Sequence, residues 1–539
     1  MRENCKILII GEHPLRGCLE QQYAARNCEV TCVASFGGED VSQCDEIVLL
    51  TSPDAEGKTA EDNRALSLLS KMAEQIPEDN AKRPIVHLLL QSNDTLGVLQ
   101  TVDLPDTIIS TMDVYPFTLE SHWARVAVAK MPGELPAIDF PPLDREPIVG
   151  DSNKTVHLVV SGFSTLAQSL AIHAALVAHY PNYNSNSPEP LRTRITILSK
   201  GLDSKRGELT TRYRSLFENS YYRTINLAKR SSSFYAPQYA GRRRDFVDVE
   251  WEFVDGDIYD EIVQHKLKRW STSGSQLLTI AIAHDNEDQN IKDILALPDE
   301  VMKNGVTVLA RVDNSESISL IKASSKYNNV YPFGMNDTGY DVRLPLMRMG
   351  KLLNAFYWGI IDYNNPVIDQ NKVDEAWKSL PSFAKRFSNI YNVMTIPTKM
   401  RSLGHSQADW ESFFAISERE VEDIASVEHN RWSVEELIMG YRPCTDIELK
   451  NVEKSIAEFL AIKDDEEKLS QWDMIDKQGR PCTLKEVLKE DDALRAHYDL
   501  RDYDDLRVDR KGVNVQDYDK KLTRCIPLLA SAFVKGGGQ

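Results

Sequence analysis

The chain has 539 residues, of which 81 are acidic and 63 basic, for a formal net charge of −18. Hydrophobic residues at 42% and charged residues at 27% exclude a disordered chain, and the negative balance excludes broad binding to nucleic acid or anionic membranes while permitting a local basic pocket. No apolar run approaches the ~18 residues of a membrane span, and the start (Arg2, Glu3, Lys6) has no signal-peptide core, so a cytoplasmic protein without membrane insertion is expected.

At ~100–200 residues per domain, three to four domains are expected. Lys6–Ile10 reads as a strand ending at Gly11, followed by a helical stretch and strand candidates at 30–34, 47–50 and 85–90, with a helix near 65–72. Strands alternating with helices predict a parallel, doubly wound sheet over residues 1–130. Five prolines (Pro132, Pro136, Pro141, Pro142, Pro147) then mark 131–150 as a linker.

The same pattern restarts at 151–340. A strand at 156–160 enters Ser161-Gly162, a helix spans 166–180, and strands are expected at 195–198, 249–254, 277–283 and 306–312. Two such units in succession suggest duplication at the level of architecture. Between the second and third strands of this unit, residues 200–244 form an insertion with eleven basic and three acidic side chains. It interleaves Tyr213, Phe217, Tyr221, Tyr222, Phe234 and Tyr235 with them and closes on Gly241-Arg242-Arg243-Arg244. A helical bridge over 341–410, with Trp358, Trp377 and Trp410 as expected core anchors, leads into a C-terminal domain at 411–539. Acidic residues dominate 445–510.

The eight cysteines include no CxxC pair. Buried free thiols are expected rather than a zinc site, which needs four convergent ligands.

A dinucleotide fold places glycines where its first strand turns into a helix, so that backbone amides cradle a pyrophosphate. Gly162-Phe163-Ser164-Thr165-Leu166-Ala167 occupies that place, with Ser164 for the second glycine and Ala167 for the third. Gly11-Glu12-His13 is more degraded. The acid that would hold a ribose is replaced by Ser35 and Ser199. Ser199-Lys200, with Lys205 and Arg206 nearby, offers a site for an extra phosphate, as in NADP or another phosphorylated nucleotide. Solvated loop charge is the competing reading.

Two resemblances follow. Val254-Asp255-Gly256-Asp257-Ile258-Tyr259-Asp260 and 283–290, which carries Asn286 and Asn290, resemble the corresponding segments of RCK-type (TrkA-N) domains, the nucleotide-binding regulators of potassium channels and transporters. The likeness spans about 155–335, with a fainter copy over 1–130. It implies nucleotide binding at Gly162, Ser164, Ala167, Ser199, Lys200 and Asp257, a homodimer, and control of a partner protein or transporter without turnover.

Glu428-His429-Asn430-Arg431-Trp432, Gly440-Tyr441-Arg442, the run 497–506 and Tyr518-Asp519 resemble the RyR-type domain named after the ryanodine receptor repeat. Ser388-Asn389-Ile390 and 399–404 are similar to the segment that bridges such modules. The fold implied is two Rossmann-like α/β units followed by a helical C-terminal domain. Arg431, Trp432, Tyr441, Arg442 and His497 supply the cation, ring faces and donors of a pocket for a base and phosphate. His429 and Trp432, three apart on one helical face, read equally as core.

No G-x-S-x-G, HExxH or P-loop lysine motif occurs. The expected function is therefore nucleotide sensing by a small anionic nucleotide-like ligand, of unknown identity or NADP-related, coupled to domain rearrangement or partner control. An NADP-dependent oxidoreductase, with His173, His179 or His284 moving the proton, is the enzymatic alternative. A scaffold gripping a partner through the insertion, in stress or antiviral signalling, is the third reading.

Overall fold

The computed structural model describes residues 5–52, 57–77, 83–102, 104–239, 243–313, 316, 318–335, 340–362, 366–380, 383–406, 410, 412, 415–483, 486, 493–509 and 512–536. Gly241 and Arg242 of the basic insertion lie outside them.

The first sheet comprises β1 (Lys6–Ile10), β2 (Glu29–Val33), β3 (Glu46–Leu49), β4 (Ile85–Leu89) and β5 (Asp113–Phe117). All are parallel, in the order β2-β1-β3-β4-β5. The second holds β6 (Thr155–Ser161), β7 (Thr193–Ser199), β8 (Tyr221–Asn226), β9 (Ser231–Tyr235), β10 (Val249–Asp255), β11 (Gln276–Ile282), β12 (Thr307–Arg311) and β13 (Val330–Phe333). Its order is β13-β12-β11-β6-β7-β10-β8-β9, and every pair is parallel except β8 with β9. Without β8 and β9 this is the doubly wound dinucleotide-fold order; the first sheet has the flavodoxin-type order of the same class. The molecule is thus an α/β protein with two parallel sheets resembling Rossmann units and a helical C-terminal region.

The duplication extends to the turns. Gly11 has φ +109° and Gly162 φ +116°. A Cβ on Gly11 would lie 2.1 Å from the Leu50 carbonyl oxygen, and one on Gly162 2.8 Å from that of Ala283. In both units the glycine amide donates to the end of the second strand, to Val33 at 2.9 Å and to Leu198 at 2.9 Å. Each glycine therefore stands at the point where the strand order reverses, pressed against the neighbouring strand. Only a residue without a Cβ fits there.

Strands β5 and β13 escape the hydrophobic pattern because each contains a proline. Both carry the same tetrapeptide, Val114-Tyr115-Pro116-Phe117 and Val330-Tyr331-Pro332-Phe333. Both are edge strands, the position where a missing N–H does not break a ladder. The shared edge is a sequence echo of the duplication.

Two helices join the units. Helix α1 (Leu119–Ala129) of the first and α2 (Thr165–Val177) of the second pack together, each buried over most of its circumference. With little solvent face, α2 is largely apolar all round, while α1 buries Arg125 against Glu134. The proline-rich segment is docked on the body: Met131, Leu143 and Ile148 are buried, and Arg401 grips Asp144 at 2.7 and 2.8 Å. The insertion forms helices Leu202–Arg212 and Arg214–Glu218 and then β8 and β9, where Tyr222 stacks on Tyr235 at 4.3 Å.

Beyond β13 the bridge contributes α3 (Pro345–Tyr357) and α4 (Phe383–Met394), and the C-terminal region α5 (Glu418–Ile438) and α6 (Gln516–Arg524). Trp377 and Trp410 are buried as expected, but Trp358 is 65% exposed. It follows the last turn of α3, past the end of that helix's buried face. A second correction concerns the thiols. Cys5 and Cys28 form a disulfide, because they precede adjacent parallel strands in register and their Cα atoms lie 4.8 Å apart. Of the other cysteines, Cys44, Cys444 and Cys525 are buried as expected, whereas Cys18, Cys32 and Cys482 are half-buried.

Candidate functional site

Two places gather the residues singled out in the sequence. The first is the C-terminal edge of the second sheet, where ligands of open α/β sheets bind. Gly162, Ser164 and Ala167 sit after β6, Ser199 and Lys200 after β7, and Asp257 after β10, so three adjacent strands bring them to one edge.

The chain itself occupies the groups a phosphate would use. Ser164 Oγ donates to the Ala283 carbonyl at 2.6 Å and accepts from the Ala167 amide at 3.0 Å, capping α2 with its own side chain. Lys200 Nζ pairs with Asp257 at 2.5 Å, and that carboxylate raises the lysine pKa. Asp255, next to them, accepts from the amides of Gly201 and Asp203.

One cluster at this edge was not legible in the sequence. Asp293 Oδ2 accepts from His284 Nε2 at 2.8 Å and from Ser161 Oγ at 3.1 Å, and Gln289 Nε2 donates to its other oxygen at 2.6 Å. The serine proton points to the carboxylate rather than to the imidazole, which is not the relay of an activated nucleophile. His173 and His179 lie elsewhere: His173 Nε2 meets Ser121 Oγ between α1 and α2, and burial lowers its pKa to about 3. His179 Nδ1 meets the buried Asp248 at 2.8 Å.

The second place is a cavity of about 480 Å³ between bridge and C-terminal region. Helices α3 and α4 wall one side. Helix α5, the segment 497–499 and α6 wall the other. Arg431, Trp432 and His497 all line it. Trp432 meets His497 edge-on at 4.8 Å, and Tyr357, Trp358 and Tyr518 add further rings.

Charge here is layered. At the base, Glu428 joins Lys399 and Arg431, the last at 2.8 Å, while Arg431 also pairs with Glu435. Burial would raise the Glu428 pKa, but Arg431 and Lys399 outweigh it and hold it at about 2. Arg431 is 1% exposed, so its guanidinium serves the protein's own carboxylates.

Nearer the opening stand acids. His429 donates from Nε2 to the Arg501 carbonyl at 2.9 Å and faces Asp519 through Nδ1 at 3.3 Å. Burial opposes its charge, yet the Asp519 carboxylate raises its pKa above the ordinary value. Burial pushes Asp499 up to about 6, and its Oδ1 is buried without a hydrogen-bond partner among the described residues. The buried neighbours Ala496 and Leu500 turn Asp499 inward.

Tyr441 and Arg442 stand outside this cavity's lining. Residues Arg442–Pro443 pair with Ala496–His497, which closes the long excursion between them. Arg442 makes a bidentate pair with Glu448 at 2.8 and 2.9 Å, and Tyr441 lies beneath Arg495 at 5.0 Å. Among the described residues, no group of three or more His, Cys, Asp or Glu is arranged to hold a metal ion, and no helix is long and apolar enough to cross a membrane.

No protein-family model matches the chain, and no curated protein sequence matches it. Among solved structures, D-lactate dehydrogenase with NAD+ from Lactobacillus jensenii aligns over 74% of this chain and 97% of its own, at 10% identity and a TM-score of 0.19. The NAD-complexed D-isomer specific 2-hydroxyacid dehydrogenase from Lactobacillus delbrueckii ssp. bulgaricus aligns over 74% and 97%, at 8% identity and a TM-score of 0.19. At such scores the likeness supports no inference about substrate or cofactor. The fold assignment rests on strand order and register.

Proposed function

We propose that the protein is a nucleotide sensor rather than an enzyme, with the base of its ligand in the cavity between bridge and C-terminal region. The observation that carries this reading is the placement of that cavity: both modules supply its walls, so occupancy and their relative position are linked. The resemblances to RCK-type and RyR-type domains point the same way, toward binding that controls a partner and toward a homodimer.

The lining narrows the ligand chemistry. Glu428 and Arg431 neutralise one another, His429 faces Asp519, and Tyr518 donates to Asp509 at 2.9 Å, which makes Asp499 the acceptor this lining offers a ligand. Rings with acceptors suit a planar group rich in N–H donors, such as a purine base, better than they suit its phosphate. The anionic part of a nucleotide would project away from these acids. Asp499 carries a buried oxygen with no partner among the described residues, an arrangement that disfavours its charge and rewards a ligand that donates to it.

The test is a thermal-shift screen of the full chain with purine and pyrimidine nucleosides, nucleotides, dinucleotides and cyclic oligonucleotides. Stabilisation by a base-bearing ligand, abolished in Trp432→Ala, is the expected result. The reading fails when no member of the screen raises the melting temperature, or when the shift survives that substitution.

A further inference from the structure

A second cleft lies on the other face of the segment that carries Asp499. It measures about 640 Å³ and is lined by Arg243 and Arg244, which close the basic insertion, and by Arg501 and Arg507 from the C-terminal region. Leu449, Leu500 and Phe246 supply apolar contact, and Glu453 and Asp505 are its carboxylates. Four guanidinium groups stand against Glu453 and Asp505 in the lining, while Asp446, Asp502 and Asp504 lie within 3.6 Å of Arg243 and Arg244.

Arg244 and Arg501 meet carboxylates only at long range, while Arg501 also donates to the Tyr498 carbonyl at 3.0 Å and lies over that tyrosine's ring at 4.0 Å. Arg501 Nη1 stands 3.7 Å from Glu453, and Arg244 stands 3.3 Å from Asp504, 3.6 Å from Asp502 and 3.8 Å from Asp505. Arg507 donates to the backbone carbonyls of Asp504 at 3.1 Å and Leu506 at 2.8 Å, which accept a hydrogen bond but cancel no charge. Arg243 is held by Asp446 at 2.5 Å and by the Cys444 carbonyl at 3.0 Å. Glu453 is 51% and Asp505 36% exposed, so their attraction for the arginines is screened by water.

We infer that this cleft binds a small phosphorylated molecule carrying a di- or triphosphate group. Planar guanidinium forks match phosphate oxygens bidentately, and here they converge from two modules with donors to give. An anion reaching both pairs would replace the long contacts with charge-assisted bonds and tie the insertion to the C-terminal region. Asp446, Asp502 and Asp504 surround the arginines with negative charge, which disfavours a long polyanion and so selects a compact one over a nucleic-acid strand. The site is separate from the aromatic cavity and stands or falls independently of it.

The experiment is isothermal titration of the full chain with sodium triphosphate at constant ionic strength, alongside Arg244→Gln, Arg507→Gln and Trp432→Ala. Arg507 is exposed and Arg244 is 41% exposed, so both arginine variants are expected to keep wild-type melting temperatures. Saturable one-site binding is expected, weakened about tenfold or more by each arginine substitution and unchanged by Trp432→Ala. No binding beyond that of equal ionic strength of potassium chloride would overturn the inference. So would binding unaffected by both arginine variants, or tighter binding of a single-stranded RNA oligomer than of triphosphate.

Discussion

The edge of the second sheet and the cavity beneath the C-terminal region were both marked by the sequence, and they differ in who satisfies their polar groups. At the sheet edge Ser164 caps its own helix, Lys200 meets Asp257, and Asp293 takes three donors from the chain. In the cavity, Asp499 Oδ1 has no hydrogen-bond partner among the described residues, and Trp432, Tyr357 and Tyr518 line the wall. A retained turn is thus weak evidence for a retained ligand; polar groups left over at a cost are better evidence. Asp499 is an acceptor that the folded chain holds against its own stability.

Five substitutions sharpen this contrast, beginning with the largest expected effect. Glu428→Ala leaves Lys399 and Arg431 buried beside one lost carboxylate. A loss of about 3–5 kcal/mol in urea unfolding is expected, the scale of a broken buried ion pair. Gly162→Ala forces a Cβ against the Ala283 carbonyl at a positive φ. It is expected to cost about 1–3 kcal/mol, and Gly11→Ala a similar amount, because the two turns are built alike.

Asp499→Asn acts in the opposite direction. The carboxyl is raised from 3.8 to about 6, so the folded state binds the proton more tightly and wild-type stability falls as pH rises from about 4 to 6. Asparagine removes that slope. Above pH 6 the variant is expected to be more stable than wild type by about 1–3 kcal/mol, and to match it below about pH 4, while losing ligand affinity. Denaturation curves across this pH window check the sign. Smallest is Ser164→Ala, expected to cost about 1 kcal/mol as a lost helix cap with no change in ligand affinity.

Much of the architecture was legible because parallel strands buried on both faces read as apolar runs: β1, β6 and β11 are examples. The edge strands β5 and β13 were not, since Pro116 and Pro332 argue against a strand until the edge position is known. Yet the repeated Val-Tyr-Pro-Phe was available as a direct sign of duplication. Strands β8 and β9 were hidden in the basic insertion, whose charge masked the stacked Tyr222 and Tyr235.

For the candidate site, motif residues located the cavity but not its chemistry. Arg431 and Arg442 suggest phosphate only until Glu428, Glu435 and Glu448 are placed beside them. Those acids are three to six residues away in sequence, and helix geometry alone puts Glu428 and Glu435 within reach of Arg431. Asp499 was harder to find, because a carboxylate in an acidic run reads as solvated until its neighbours are seen to be buried.

The central claim, that ligand recognition has moved from the sheet edge to the aromatic cavity, is tested most directly by calorimetric titration of the full chain with adenosine and guanosine monophosphates. Wild type, Trp432→Ala and Ser164→Gly are compared, at about pH 5 and about pH 7.5. The account predicts binding that is lost in Trp432→Ala, unchanged in Ser164→Gly, and weaker at the lower pH, where Asp499 must first give up a proton. Binding that survives Trp432→Ala and tightens in Ser164→Gly would contradict it and return the ligand to the glycine turn.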